Sequence, residues 1–213
     1  PETYLFLGEV LDNQDRAKIM ADYCKDAIDE VTAKVQTIPE DDKVKVYYAE
    51  GPDGLETDPK GSSHTKVLDM VGGINVAQVE NQSNAGRLSV SIEQLLLWDP
   101  EIIISWDPDR GGYYDGILQD KAWKNIKAVQ VGEVYSIPNQ PFSWFDRPFS
   151  VNRILGLKWL SNLLYPEVFD GDIIKEVKNY YELFYHHNLT NDELHTLLKN
   201  AKKQVNHTEP GRN

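Results

Sequence analysis

The run Glu101-Ile102-Ile103-Ile104-Ser105-Trp106 constrains the fold more than any other stretch of this chain. It has the length of a strand, and three β-branched residues fill its centre. A strand with one wet face alternates apolar and polar residues, whereas a strand apolar at every position is covered on both faces, as parallel strands are. Parallel neighbours need long crossovers, usually helical. The surrounding sequence supplies them. Residues 44–49, 74–77 and 133–137 also read as strands. Between them lie a helix over 64–71, capped by Ser63 and ended by Gly72-Gly73, and a short helix from Ser91 to Trp98. Ser91 and Gln94 fit a capping box there, and Asp99-Pro100 breaks the helix. Residues 113–126 are helical in pieces. The expected class is α/β: a small, mostly parallel sheet of about four strands with helices on both faces, one Rossmann-like lobe.

A long helix precedes this lobe. Met20, Tyr23, Cys24, Ala27, Ile28, Val31 and Val35 recur at spacings of three and four, so residues 12–36 read as one helix, with Asp12 as its cap and Pro39 beyond its end. At 1.5 Å per residue it would span roughly 36 Å, the length of a whole domain. Residues 1–11 read as the tail of something that began earlier. Helices are also expected over 150–164, 172–187 and 190–203, the last opened by a Thr190–Glu193 capping box. The polar end, 206–213, reads as a tail.

Composition excludes several functions. The net charge is −12, which argues against a nucleic-acid partner, since that needs a basic face. No run of about 18 apolar residues is present to span a membrane. The single cysteine, Cys24, sits at an apolar helical position and reads as a buried, inert thiol. No P-loop, GxSxG, HExxH or paired CxxC occurs, so no catalytic residues and no metal ligands are assigned. His186, His187 and His195 read as a solvated face, and His64, at a helix start after the 51–61 loop, as a surface cap, with a ligand-facing role as the alternative.

Binding is better supported than catalysis. Loops 50–63, 106–112 and 138–149 each follow a strand, and in a parallel sheet such loops converge on one edge, where ligands of open α/β sheets bind. They carry Trp106, Arg110, Phe142, Trp144, Phe145 and Arg147. Four of the six arginines (Arg87, Arg110, Arg147, Arg153) fall between positions 87 and 153, and a guanidinium fork suits carboxylate or phosphate. Trp144 and Arg147 are expected to touch ligand, and Phe145 to pack in the core. The acidic residues Glu50, Glu56, Asp107, Asp109 and Asp146 look scattered.

Three elements carry a family resemblance. The segment Lys66-Val67-Leu68-Asp69-Met70-Val71-Gly72-Gly73-Ile74-Asn75-Val76-Ala77 resembles a helix-GG-N-[VI] element. Val90-Ser91-Ile92-Glu93-Gln94-Leu95-Leu96, followed by Asp99-Pro100-Glu101-Ile102-Ile103-Ile104, is similar to a VSxEQLL…xPDxIII element. Trp144-Phe145-Asp146-Arg147 resembles a W-F-[DE]-R loop. Together, and in this order, they resemble the substrate-binding proteins of bacterial ABC importers for siderophore-iron, vitamin B12, haem and related metal chelates, whose two lobes are joined by one rigid helix. Position 143 is Ser where the B12-binding loop has Asp, which points away from cobalamin. The segments 54–57 and 147–150 look more like binders of iron or other metal chelates.

The resemblance implies a division of the chain. Residues 1–11 would end a first lobe that is absent here, 12–38 would form the inter-lobe helix, and 39–205 the C-terminal α/β lobe. It implies capture without chemistry by an extracytoplasmic monomer that delivers a metal chelate to an ABC permease in the membrane, with no cofactor. Arg147, Ser143 and Trp144 would contact ligand, the loop holding Arg87 would line the cleft, and Glu93 would dock on the permease. A chelatase-like enzyme half and a stand-alone protein-interaction domain remain as alternatives.

Overall fold

The computed structural model describes residues 1–79 and 87–203. Four strands, β1 (Lys45–Ala49), β3 (Ile74–Asn75), β5 (Ile102–Ser105) and β6 (Val134–Ser136), form one parallel sheet in the order β3-β1-β5-β6. Its side chains alternate between two cores, as the pleat requires. Val46, Tyr48, Ile102, Ile104 and Tyr135 join one core, while Tyr47, Ala49, Ile103 and Val134 join the other. The isoleucine run is buried at every position because both faces are covered.

The first core is closed by α2 (Gln14–Val35), α3 (Lys66–Met70), α7 (Asn152–Leu164), α8 (Ile173–Tyr185) and α9 (Asn191–Leu198). The second is closed by α4 (Ile92–Trp98), α5 (Tyr114–Gln119) and α6 (Lys127–Gln130). The expected α/β class with helices on both faces therefore holds. Cys24 is buried, and His186, His187 and His195 are exposed, as read from the sequence.

Several local expectations shift. Within residues 1–11, for which no element was assigned, α1 (Glu2–Val10) packs on α2, and Leu5, Phe6, Leu7, Val10 and Leu11 are exposed. Asp12 does not cap α2. It turns the chain at a positive φ of 52°, and Asn13 holds the cap position without a side-chain bond. Ser62, not Ser63, accepts the cap bond, from the His64 amide, and opens a 3-10 turn that leads into α3. Ser91 and Thr190 cap α4 and α9 as expected, and the Thr190–Glu193 box is complete. Gly72 ends α3 at a φ of +75°, a left-handed conformation that glycine adopts without steric cost.

A two-stranded antiparallel clip, β2 (Glu56–Thr57) with β4 (Leu88–Ser89), lies outside the main sheet. It is too short to leave a periodicity in sequence. Its effect is to bring Arg87 alongside Glu56.

The site loop 138–149 is seated by α7. A Cβ on Gly156 would lie 1.7 Å from the Trp144 carbonyl oxygen, so helix and loop touch backbone to side-chain-free backbone. Gly156→Ala is expected to cost about 1–3 kcal/mol through overpacking, read as a lower denaturant midpoint at unchanged m-value.

Candidate functional site

The strand order places the site. From β1 the chain runs outward to β3, then crosses back to β5 on the other side of β1. The order therefore reverses between β1 and β5, and the crevice beyond their C-terminal ends is where open α/β sheets bind ligands. Glu50 leaves β1 at that point and Trp106 leaves β5.

Arg147 is the centre of the cluster found there. One guanidinium nitrogen donates to Glu50 Oε1 at 2.8 Å and also to Asp146; the other donates to Asp58 Oδ2 at 3.0 Å. The three carboxylates are buried, and the arginine side chain is 29% exposed. Burial works to lower the Arg147 pKa, but Asp146, Glu50 and Asp58 outweigh it and raise it. Arg87 adds a second cation. It donates to Glu56 at 2.8 Å, and its Nε lies 3.4 Å from the same Glu50 Oε1. Both guanidiniums stand over the Trp106 ring, at 4.5 Å for Arg87 and 5.8 Å for Arg147.

Behind the cations runs a hydrogen-bond chain. The Trp106 indole donates to the Tyr48 hydroxyl, which donates to Asp146 Oδ2 at 2.9 Å. Asp146 Oδ1 meets His64 Nδ1. The His64 ring packs on Phe149 at 4.9 Å, and Arg153 lies over the same phenyl ring at 4.8 Å. Asp58 is fixed by the Ser62 hydroxyl at 3.0 Å. Burial raises the Asp146 pKa against the opposing pull of His64 and Arg147.

The candidates named from sequence divide cleanly. Arg147, Trp106, Arg110 and Ser143 line one shallow depression with Asp107, Ile137 and Asn139, and Arg87 joins them through Trp106 and Glu50. Arg110 is exposed at the rim. Phe142 is 43% exposed, and its carbonyl accepts from Asn152 at 2.8 Å. Ser143 is buried, and its Oγ accepts from the amides of Phe145 and Asp146 at 3.2 Å, so it shapes the loop.

Three readings change. Trp144 is 0% exposed and packs edge-on against Trp159 at 6.4 Å, so it belongs to the core with Phe145 rather than to the surface of the edge. Loop position suggested otherwise, but the loop folds inward because α7 offers it an apolar bed. Arg147 lies at the expected edge, but it is not a bare fork there: three internal carboxylates hold it, and any ligand would meet it within that cage. Of the acids that looked scattered, Glu50, Glu56 and Asp146 frame the site, joined by Asp58, which the sequence did not single out. Glu50, Glu56, Asp58 and Asp146 come from three segments, and no spacing in sequence signals their meeting. His64 is no surface cap, since its ring is bound to Asp146.

Asp58, His64 and Asp146 each bring a ligand-type atom within 4.8 Å of the others. The Arg147 guanidinium already bonds both carboxylates, so a divalent cation there would sit against a fixed positive charge. The donor set fits a guanidinium, and no metal is assigned. Glu93 is exposed in the first turn of α4, where its own backbone amide and the Ser91 hydroxyl hold its carboxyl below the usual range.

Glu50 is the strained member. It is wholly buried, and its Oε2 has no hydrogen-bond partner among the described residues. Burial first, and the neighbouring Asp58 next, push its carboxyl up to about 8 despite Arg147. The folded state therefore keeps a proton that the unfolded chain releases near 4.5, and stability is lost as pH rises from there to about 8. Glu50→Gln is expected to melt close to wild type at pH 4.5. It should melt progressively higher relative to wild type up to pH 8, by about 2–4 °C for each kcal/mol of relief. Trp144→Ala should lower stability by about 3–5 kcal/mol in a denaturant titration, as loss of a core aromatic does.

Comparison with known proteins places this geometry. A solved ABC transporter solute binding protein from Sulfurospirillum deleyianum is 40% identical, with a TM-score of 0.86 over 93% of this chain and 61% of its own. A periplasmic solute binding protein from Veillonella parvula is 30% identical, with a TM-score of 0.77 over 93% of this chain and 60% of its own. The molybdate-binding protein MolA of Haemophilus influenzae is 34% identical over 148 residues, which is 68% of this chain and 40% of MolA. Its molybdate-bound structure superposes with a TM-score of 0.67. The chain thus spans about 40–60% of the length of these relatives. The family described as periplasmic binding protein matches residues 2–141, and with the relatives above this establishes that the chain belongs to the periplasmic binding protein family.

Proposed function

We propose that the protein is the extracytoplasmic solute-binding component of an ABC importer, and that its solute is a small anion. One observation carries this reading: two guanidiniums converge over the face of Trp106, sharing the acceptor Glu50 Oε1, at the switch point of the sheet. Arg87 and Arg147 offer paired donors, and the indole supplies an apolar floor. MolA, a relative that binds molybdate, makes a tetrahedral oxyanion the favoured solute. The family consists of binding proteins rather than enzymes, which sets aside a chelatase half.

A metal chelate, with iron-siderophore as the case first expected, is the second reading. The exposed rings of Phe142 and Phe149 support it, since they suit the flat organic groups of such a ligand. In the whole protein we assign the exposed apolar face of α1 to contact with a further lobe that would close the cleft. The length of the relatives beyond this chain supports that assignment. Glu93, with Leu96 and Leu97 exposed on the same helix, is the proposed permease contact. Among the described residues no helix is long and apolar enough to cross a membrane.

Isothermal titration of the protein with molybdate and with ferric siderophores separates the two solutes. Arg87→Ala is the informative variant, because Arg147→Ala would strand three buried carboxylates. It is expected to raise the Kd at least about tenfold, the cost of one charged hydrogen bond. Absence of heat with both solutes would rule out the anion-capture reading.

A further inference from the structure

We propose that Glu50 is the proton-linked selector of this site: an anionic oxygen is captured at Arg87 and Arg147 only while Glu50 carries a proton. The inference rests on the anion-capture reading above and specifies how it is controlled.

Geometry leads to it. Among the described residues, the Glu50 Oε1 atom is the one acceptor that both guanidiniums approach, at 2.8 Å for Arg147 and 3.4 Å for Arg87. Ionised Glu50 is therefore an internal rival for any anion that the two arginines could bind. Protonated Glu50 gives up most of that claim, because a neutral carboxyl attracts a cation far less than a carboxylate does. Its other oxygen, Oε2, is buried and has no partner among the described residues, which makes it the natural seat of the proton. An unpartnered buried oxygen costs much more to hold charged than neutral.

The surroundings fix the sign. The charged and titratable groups around Glu50 are Asp58, Asp146 with its partner His64, and Glu56 on the acidic side, and Arg147 and Arg87 on the basic side. Tyr47 and Tyr48, beside it on β1, stay neutral, since burial drives both hydroxyls far above the ordinary tyrosine range. An arriving anion adds one more negative charge beside Asp58 and Asp146, so it disfavours ionised Glu50 further. Capture and proton retention thus reinforce each other, and by linkage a proton is taken up on binding wherever free Glu50 is ionised.

The test is the pH dependence of molybdate affinity between pH 7 and 9.5 at fixed ionic strength, a range in which molybdate remains a dianion. In the wild-type protein the Kd should be flat up to about pH 8. Above that it should rise about tenfold per pH unit, the slope of a single linked proton. In Glu50→Gln the slope should vanish, whatever the Kd at pH 7. Calorimetry in buffers of different ionisation enthalpy gives a second reading on the wild type alone: about one proton taken up per anion at pH 9 and close to none at pH 7. A pH-independent Kd, or a slope that survives in Glu50→Gln, would overturn the role of Glu50 and leave the anion reading standing. Failure of molybdate to bind at any pH would remove the anion reading and this inference together.

Discussion

The ion cluster around Arg147 is the interaction on which the binding edge of this lobe depends. One guanidinium joins Glu50 at the end of β1, Asp58 beyond β2 and Asp146 in the loop before α7. These segments are distant in sequence. A buried carboxylate without a partner is costly, and three beside one arginine would be excessive if all were ionised. Placing a proton on Glu50 relieves the excess. The cluster therefore sets both the shape of the edge and its response to pH.

On the proposed reading, that arrangement changes how cations serve binding in this lobe. An arginine held by internal carboxylates is positioned before any solute arrives, so little ordering entropy remains to be lost on capture. The same carboxylates reduce the attraction that the solute feels. A closely balanced cradle of this kind favours selectivity over raw affinity, because a solute must outcompete groups already in place. Trp106 ties the two arginines to the hydrogen-bond chain through Tyr48 to Asp146, so a change at the indole face is linked to the buried acids by direct contacts.

The loop 138–149 has two characters. Its inner residues, Trp144 and Phe145, fill the core, and its outer residues, Phe142 and Phe149, remain exposed. Asp146 and Arg147 lie between them, at the boundary between apolar bed and solvent. Gly156 lets the loop backbone lie directly on α7, which holds that boundary in place.

Local pattern alone determined the layers of this protein. The uninterrupted isoleucines of β5, the helical spacing of α2 and the caps of α4 and α9 are set by neighbours a few residues away, so they are readable one segment at a time. The convergence of loops on one edge followed from parallel strands; of the residues it gathered, Trp106, Arg110 and Arg147 line one depression, while Trp144 and Phe145 are buried. Only the tertiary structure decided which of those side chains face solvent and which acids they meet. Trp144 and Arg147 sit three residues apart in one loop, yet one is core and the other a cation in a cage. The difference lies in α7 beneath the loop and in β1 and the β2–β4 clip beside it. Strand register and crossover direction brought Glu50, Asp58, Asp146 and Arg87 together, and electrostatic contacts between residues up to about a hundred positions apart leave no periodicity in sequence to read.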